Sequence, residues 1–208
     1  MAGRLVYLMG PSGSGKDTVL QGLSRLMGPH AYLAPRLVTR PQTTTEPGAI
    51  SVSPAEFRRL ELGGSLVMSW RANGLDYGIG AHINDRLSAG CDVLVNGSRE
   101  YLPEARRRYP DLVPVLLRVD EHILHGRLLA RGREDKAQIR SRLDRNIHYA
   151  GLADSIDTRV FFLLDNSGPV EDAINALYRY LHPATTDTGH SHEIDASGHG
   201  QRRAATRL

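Results

Sequence analysis

The chain has 208 residues, which is enough for one α/β domain with a buried core but too few for two. Its formal charge of +3 comes from 26 basic and 23 acidic residues, and arginines scattered among acids favour a small phosphorylated ligand over a nucleic acid. The single cysteine, Cys91, excludes an intrachain disulfide, and no apolar run has the length of a membrane helix or a signal peptide, so we expect a cytoplasmic protein.

The first predicted elements are a strand, a glycine-rich loop and a helix. Residues 5–9 form a short apolar run that ends at a glycine, which is typical of a buried parallel strand. Residues 17–27 are predicted to be helical, because apolar residues recur there at helical spacing: Val19, Leu20, Leu23 and Leu26.

The next part of the chain reads as an extended segment, a loop, a helix and a strand. Residues 32–39 are predicted to be extended, and the polar residues 40–48, with two prolines, are predicted to be a loop. Ser53-Pro54-Ala55-Glu56 is a capping box that predicts a helix ending near Leu62. Residues 65–70 are predicted to be a strand.

The remaining segments continue the alternation of helices and strands. Helices are predicted at residues 79–89, 100–109, 121–130, 136–150 and 170–181, and strands at 92–95, 112–119 and 159–164. This order predicts an α/β fold with a parallel sheet covered on both faces.

The C-terminal residues 183–208 are predicted to be a disordered tail, because they contain almost no large apolar residue. Four histidines lie in or beside this segment, and their irregular spacing favours incidental composition over a metal site: His182, His190, His192 and His199.

The glycine-rich loop has the spacing of a phosphate-binding loop, between a buried strand and a helix. Backbone N–H groups of such a loop wrap a phosphate, and its lysine reaches the transferred phosphoryl group. The predicted ATP-binding residues are Gly10, Pro11, Ser12, Gly13, Ser14, Gly15, Lys16, Asp17 and Thr18. Asp17 stands where a hydroxyl often ligates Mg²⁺, and two roles are open for it: holding a Mg²⁺-bound water, or capping the helix.

A cluster of arginines lies on the two helical stretches around a polar joint at residues 131–135. Arginines on such a hairpin can close over phosphates, neutralise charge and exclude water. We predict that Arg131, Arg133 and Arg142 are catalytic together with Lys16, whereas salt bridges on a solvated helix explain Arg140 and Arg145 better.

These motifs together resemble the guanylate kinase family. The matching pieces are Gly10-Pro11-Ser12-Gly13-x-Gly15-Lys16, Thr39-Arg40, Tyr77-Gly78 and Arg127-x-x-x-Arg131-Gly132-x-Glu134. The resemblance implies a P-loop kinase domain over residues 1–182, with a helical lid at about 127–145 and a small acceptor-binding subdomain at about 36–80. The residues that would read guanine are replaced, so the acceptor is predicted to carry more phosphate instead of a base.

Two runs are similar to those of a smaller relative, the ribose 1,5-bisphosphate phosphokinase family of phosphonate catabolism: Ser69-Trp70-x-Ala72-Asn73-Gly74-Leu75-x-Tyr77-Gly78 and Asp92-Val93-Leu94-Val95-Asn96-Gly97-Ser98-Arg99. That resemblance implies ATP and Mg²⁺ as cofactors, a small phosphorylated sugar as substrate, and 5-phosphoribosyl 1-diphosphate (PRPP) as product. The implied substrate-binding residues are Arg36, Thr39, Arg40, Trp70, Tyr77, Asn96, Ser98 and Arg99.

Several alternatives remain open at the level of the sequence. Trp70 is as consistent with the core as with the site. A nucleoside-monophosphate kinase and a non-catalytic guanylate-kinase-like binding module are the rival functions, and the intact phosphate loop counts against the second. The sequence leaves the oligomeric state open, a homodimer included.

Overall fold

The structure is a computed structural model that describes residues 2–40, 48–131, 140 and 161–183. Most of the predicted loop at 40–48, the joint at 131–135 and the predicted helix at 136–150 lie outside the described residues. The same holds for residues 184–208 of the predicted tail.

The described elements are nine strands and six α-helices. The strands are β1 (Leu5–Met9), β2 (Ala31–Leu33), β3 (Arg36–Val38), β4 (Ala49–Ser51), β5 (Leu66–Ala72), β6 (Leu75–Gly80), β7 (Asp92–Asn96), β8 (Val113–Arg118) and β9 (Phe162–Asp165). The helices are α1 (Lys16–Met27), α2 (Pro54–Leu62), α3 (Ile83–Ser88), α4 (Leu102–Arg108), α5 (Glu121–Arg131) and α6 (Val170–Leu181).

A five-stranded parallel sheet forms the centre of the fold, in the order β2-β7-β1-β8-β9. Successive side chains of a strand point to opposite faces, and both faces of this sheet are buried. Tyr7 of β1 belongs to a core cluster with residues of α3 and α4, whereas Val6 and Leu8 pack with residues of α1 and α6. The predicted α/β architecture is confirmed.

A second, four-stranded sheet, in the order β4-β3-β6-β5, joins the core on the Tyr7 face. Its β3–β6 and β5–β6 pairs are antiparallel. The extended segment predicted at residues 32–39 consists of two strands, β2 and β3, because the chain changes sheets at Ala34-Pro35. The Ala34 N–H still bonds to the parallel sheet at the Leu94 carbonyl, whereas the Arg36 N–H bonds to Gly48.

Two predictions need correction. The helix predicted at residues 79–89 is limited to α3, because Ile79 and Gly80 are the last residues of β6. In α1 the buried apolar face ends with Met27, and Leu26 is 48% exposed. Met27 continues the spacing of Leu20 and Leu23, and Leu26 falls beside that face.

The start of α2 confirms the predicted capping box. Ser53 Oγ accepts a hydrogen bond from the Glu56 N–H at 3.1 Å, and Pro54 occupies the first helical turn, where its missing N–H costs no helical bond. No helix in the described residues is both long and apolar enough to cross a membrane.

Candidate active site

The candidate site lies where strands of the parallel sheet reach their carboxyl ends. β1 leads into the phosphate loop, residues 10–16; its neighbour β7 ends at Asn96; and β9 is followed by Asn166. Open parallel sheets bind ligands at this edge, because the loops that follow the strands converge there. Residues that are far apart in the sequence are thereby brought together.

Asn166 supports the phosphate loop through a buried hydrogen bond, and the sequence analysis did not predict this residue. Asn166 is 1% exposed, and its Nδ2 donates to the Ser14 carbonyl at 2.7 Å. Arg127 Nη1 of α5 lies 3.5 Å from the same carbonyl oxygen. Gly15 has a φ of 92°, and a Cβ there would lie 2.7 Å from Asn166 Nδ2. Only glycine therefore allows this left-handed turn and this close approach.

Lys16 is the first residue of α1, as the phosphate-loop motif predicts. Its Nζ donates to the carbonyl oxygens of Gly10 at 3.0 Å and Pro11 at 2.9 Å. These contacts place the ammonium group against the loop. Thr18, which is predicted to bind ATP, lies in the first turn of the same helix, and its side chain is exposed.

Asp17 and Asn96 form a direct pair across the site. Asn96 Nδ2 donates to Asp17 Oδ1 at 2.7 Å, and Asn96 is 5% exposed. Asp17 belongs to the first turn of α1, where its charge is favourable to the helix dipole. The contact joins a predicted nucleotide residue to a predicted substrate residue.

The turn after β7 is fixed by Tyr7. Its hydroxyl donates to the Ser98 carbonyl at 3.0 Å and accepts from the Ser98 N–H at 2.9 Å. Gly97 passes over the ring so closely that a Cβ would lie 2.1 Å from Tyr7 Cζ. Burial raises the pKa of the Tyr7 hydroxyl well above its ordinary value, which keeps it a neutral donor. This support sets the backbone between Asn96 and Arg99.

An aromatic stack, made of Arg36, Tyr77, Trp70 and Tyr101, lines the other sheet. The Arg36 guanidinium carbon lies 5.3 Å from the Tyr77 ring centroid, and the Tyr77 and Trp70 rings stack at 5.6 Å with an interplanar angle of 12°. Tyr101 follows, 5.7 Å from Trp70. Trp70 and Tyr77 are each 8% exposed. Trp70 packs in the core against the Tyr77 ring, and Arg36 lies over the Tyr77 ring.

Thr39 and Arg40 follow β3 directly. The Thr39 Oγ1 accepts from the Asp76 N–H at 2.8 Å, and the Thr39 N–H donates to the Asp76 carbonyl at 3.0 Å. Thr39 therefore ties the start of the loop to β6 and places Arg40 just beyond the sheet.

Only part of the predicted lid lies in the described part of the chain. Arg131 is the last residue of α5, and Arg140 is exposed and helical. Arg133, Arg142 and Arg145 lie outside the described residues.

A divalent cation would find few ligands from the protein itself. Within the described ranges, no three His, Cys, Asp or Glu side chains form a group that could hold a metal. The Asp17–Asn96 pair nevertheless fits a hydrated Mg²⁺ held mainly by nucleotide phosphates, because it offers a carboxylate and an amide oxygen. His182 is engaged elsewhere, since its Nδ1 bonds to the Tyr178 carbonyl at 3.0 Å.

No family model matches the chain. Three curated proteins, each named ribose 1,5-bisphosphate phosphokinase PhnN, are similar to it. That of Pseudomonas paraeruginosa is 49% identical and covers 87% of this chain and 96% of its own length. That of Pseudomonas fluorescens is 45% identical and covers 92% of this chain and 98% of its own length. That of Azotobacter vinelandii is 44% identical and covers 87% of this chain and 97% of its own length. Among solved structures, guanylate kinase from Anaplasma phagocytophilum has the same fold, with a TM-score of 0.67 at 17% identity over 90% of this chain and 88% of its own.

Proposed function

The chain belongs to the ribose 1,5-bisphosphate phosphokinase family, and we propose that it transfers the γ-phosphoryl group of ATP to the 1-phosphate of ribose 1,5-bisphosphate. The products are ADP and PRPP. An acceptor-phosphate oxygen forms a bond to the γ-phosphorus as the bond to the ADP oxygen breaks.

The observation that carries the choice of acceptor is the buried Asn96 at the end of β7. A kinase that acts on an alcohol needs a carboxylate near the acceptor oxygen. The side chain at the end of β7 is an asparagine, which cannot take up a proton, and the Asp17 carboxylate beside it lies in the first turn of α1 and accepts the Asn96 amide hydrogen. A phosphate monoester loses its second proton near pH ~6, so it is already a nucleophile at neutral pH. The reaction therefore requires positioning and charge neutralisation, but no general base.

On the nucleotide side, the phosphate loop and α1 supply the binding groups. Residues 10–18 hold the ATP phosphates, with Lys16 directed to the γ-phosphoryl group and the Thr18 hydroxyl to the α-phosphate. Arg131, Arg133 and Arg142 complete the set from the lid by stabilising the charge that develops during transfer. Bound Mg²⁺ neutralises charge on the ATP phosphates, and Asp17 would hold it through water.

On the acceptor side, arginines hold the two phosphates of the sugar. Arg36 projects from the aromatic stack, Arg40 follows β3, and Arg99 lies in the turn after β7 that Tyr7 supports. Bidentate contacts of guanidinium groups suit phosphate and give the sugar a fixed orientation. Thr39, Tyr77 and Ser98 border these arginines, and Trp70 acts through the packing of Tyr77.

The proposal is tested by a competition between acceptors. The protein is incubated with ATP, Mg²⁺ and an equimolar mixture of ribose 1,5-bisphosphate and GMP, and the products are identified by mass. We expect PRPP and ADP, with no GDP. Exclusive formation of GDP would establish a nucleoside-monophosphate kinase, and absence of any ADP would support a binding module instead.

A further inference from the structure

The Asp17–Asn96 pair assigns Asn96 a role other than sugar binding. We infer that Asn96 is a positioning residue for the divalent cation of the bound nucleotide, acting through Asp17. The inference rests on the proposed function only in that the nucleotide binds at the phosphate loop with a divalent cation. It does not depend on the identity of the acceptor.

The Asn96 amide nitrogen already has a partner. Its Nδ2 is committed to Asp17 Oδ1 at 2.7 Å, a short hydrogen bond to a charged acceptor. A carboxylate only accepts, so this contact fixes which end of the amide faces Asp17. Asn96 thus turns its nitrogen towards Asp17, and its oxygen remains an acceptor for another donor.

Asn96 Oδ1 is buried and has no hydrogen-bond partner among the described residues. A buried acceptor of this kind is costly unless a donor reaches it. Phosphate oxygens of a bisphosphate are acceptors, so they cannot satisfy it, whereas a water bound to Mg²⁺ is a strong donor. A sugar hydroxyl is the rival donor.

The position and the charge of Asp17 also favour a role near the nucleotide's cation. Asp17 follows Lys16 in the first turn of α1, on the nucleotide side of the site. The pair carries one negative charge, because the amide supplies a donor without a second carboxylate that would repel the first. A partner that orients a group near a metal typically contributes 10- to 100-fold to metal affinity.

The pair can be tested by exchanging its two members. Calorimetry measures the affinity for ADP with and without Mg²⁺, and the ratio gives the tightening caused by the metal. We expect Asn96→Ala and Asn96→Leu to reduce this tightening about 10- to 100-fold, and Asp17→Asn to reduce it at least as much. The double variant Asp17→Asn/Asn96→Asp keeps one carboxylate facing one amide, so it should recover most of what Asp17→Asn loses.

Two controls separate this role from sugar binding and from a general loss of structure. Asn84 of α3 is another asparagine whose Oδ1 accepts a hydrogen bond, from the Tyr109 hydroxyl at 2.7 Å. Asn84→Ala should leave the Mg²⁺-dependent tightening of ADP binding unchanged. In Asn96→Leu, the variant that keeps the buried volume, the KM for ribose 1,5-bisphosphate at saturating Mg²⁺ should change by a smaller factor than the Mg²⁺-dependent tightening of ADP. An unaltered Mg²⁺ effect in Asn96→Ala and Asn96→Leu would overturn the inference. So would an exchange variant that folds, as judged by its melting temperature, but binds Mg²⁺–ADP no better than Asp17→Asn.

Discussion

Replacing Arg36 with alanine should weaken binding of the bisphosphate far more than it weakens the fold. The Arg36 guanidinium lies over the Tyr77 ring, which in turn rests on Trp70. Because the two rings are buried and stacked, they should remain in place when the guanidinium is removed. The variant therefore isolates the contact between arginine and the substrate phosphate.

The expected size of the effect can be worked from the cation–π contact with Tyr77 and from the proposed contact with a substrate phosphate. A cation–π contact at a partly exposed site contributes about 0.5–1 kcal/mol, so its loss lowers the melting temperature of a chain of this size by roughly 1–4 °C. A hydrogen bond to a charged phosphate contributes about 1.5–3 kcal/mol, which corresponds to roughly 10- to 150-fold in kcat/KM. If the proposed contact between Arg36 and an acceptor phosphate is equally strong in the ground state and the transition state, the change should fall on KM and leave kcat nearly constant.

Arg71→Ala is the matched control. Arg71 lies in the same sheet, over the Phe57 ring at 5.7 Å, and pairs with Glu61 at 2.9 Å and Asp76 at 2.7 Å. Its side chain is exposed, so the loss should cost less than about 1 kcal/mol of stability and leave the steady-state kinetics unchanged. Equal KM values for wild type and Arg36→Ala, or equal losses in both arginine variants, would refute the assignment of Arg36.

Four further substitutions test other parts of the structure. Lys16→Ala should lower kcat by at least about 10²-fold in a coupled ADP assay, because we propose that Lys16 binds the transferred group; retained turnover would contradict this role. Gly97→Ala should destabilise the fold by about 1–3 kcal/mol or more in urea unfolding, since its Cβ would overlap the Tyr7 ring, whereas Gly126→Ala in α5, with open space, should stabilise it by about 0.5–1 kcal/mol. Tyr7→Phe should cost about 1–3 kcal/mol at pH 7 by leaving the Ser98 N–H unpaired. Because burial raises the pKa of Tyr7, its contribution is complete below pH about 10 and declines above it, so stability between pH 10 and 11 should fall less steeply in Tyr7→Phe than in wild type.

The parallel sheet and its helices could be predicted because their patterns are local. β1 and α6 have the predicted bounds, and the capping box at Ser53 placed the start of α2 correctly. The second sheet was harder, because β3 and β4 have only three residues each and because its apolar residues share one core cluster with Tyr7 of the parallel sheet. The run that contains β2 and β3 looks continuous in sequence, although Ala34-Pro35 joins two different sheets.

A stronger signal for the second sheet was present at Asn73-Gly74. These two residues both have positive φ, 52° and 73°, and they connect β5 to β6 as a tight hairpin turn. Asn-Gly between two apolar runs is a typical hairpin sequence, so β6 could have been predicted from it. The helix predicted at residues 79–89 instead included the last two residues of β6.

For the site, the phosphate loop could be predicted and its supports could not. The loop motif is contiguous, whereas Asn166 lies 152 residues beyond the Ser14 carbonyl that it binds. The Asp17–Asn96 contact likewise spans 79 residues. Such contacts depend on strand order, which brings β1, β7 and β9 to one edge and which no local pattern contains.

The most direct test of the central claim is the ³¹P NMR spectrum of the product formed from ATP and ribose 1,5-bisphosphate. We propose that an ionised phosphate, not an alcohol, attacks the γ-phosphorus. We expect two mutually coupled resonances of a new diphosphate at C1, beside an unchanged 5-phosphate singlet. A third, uncoupled monoester resonance would show phosphorylation of a hydroxyl group and would contradict this proposal.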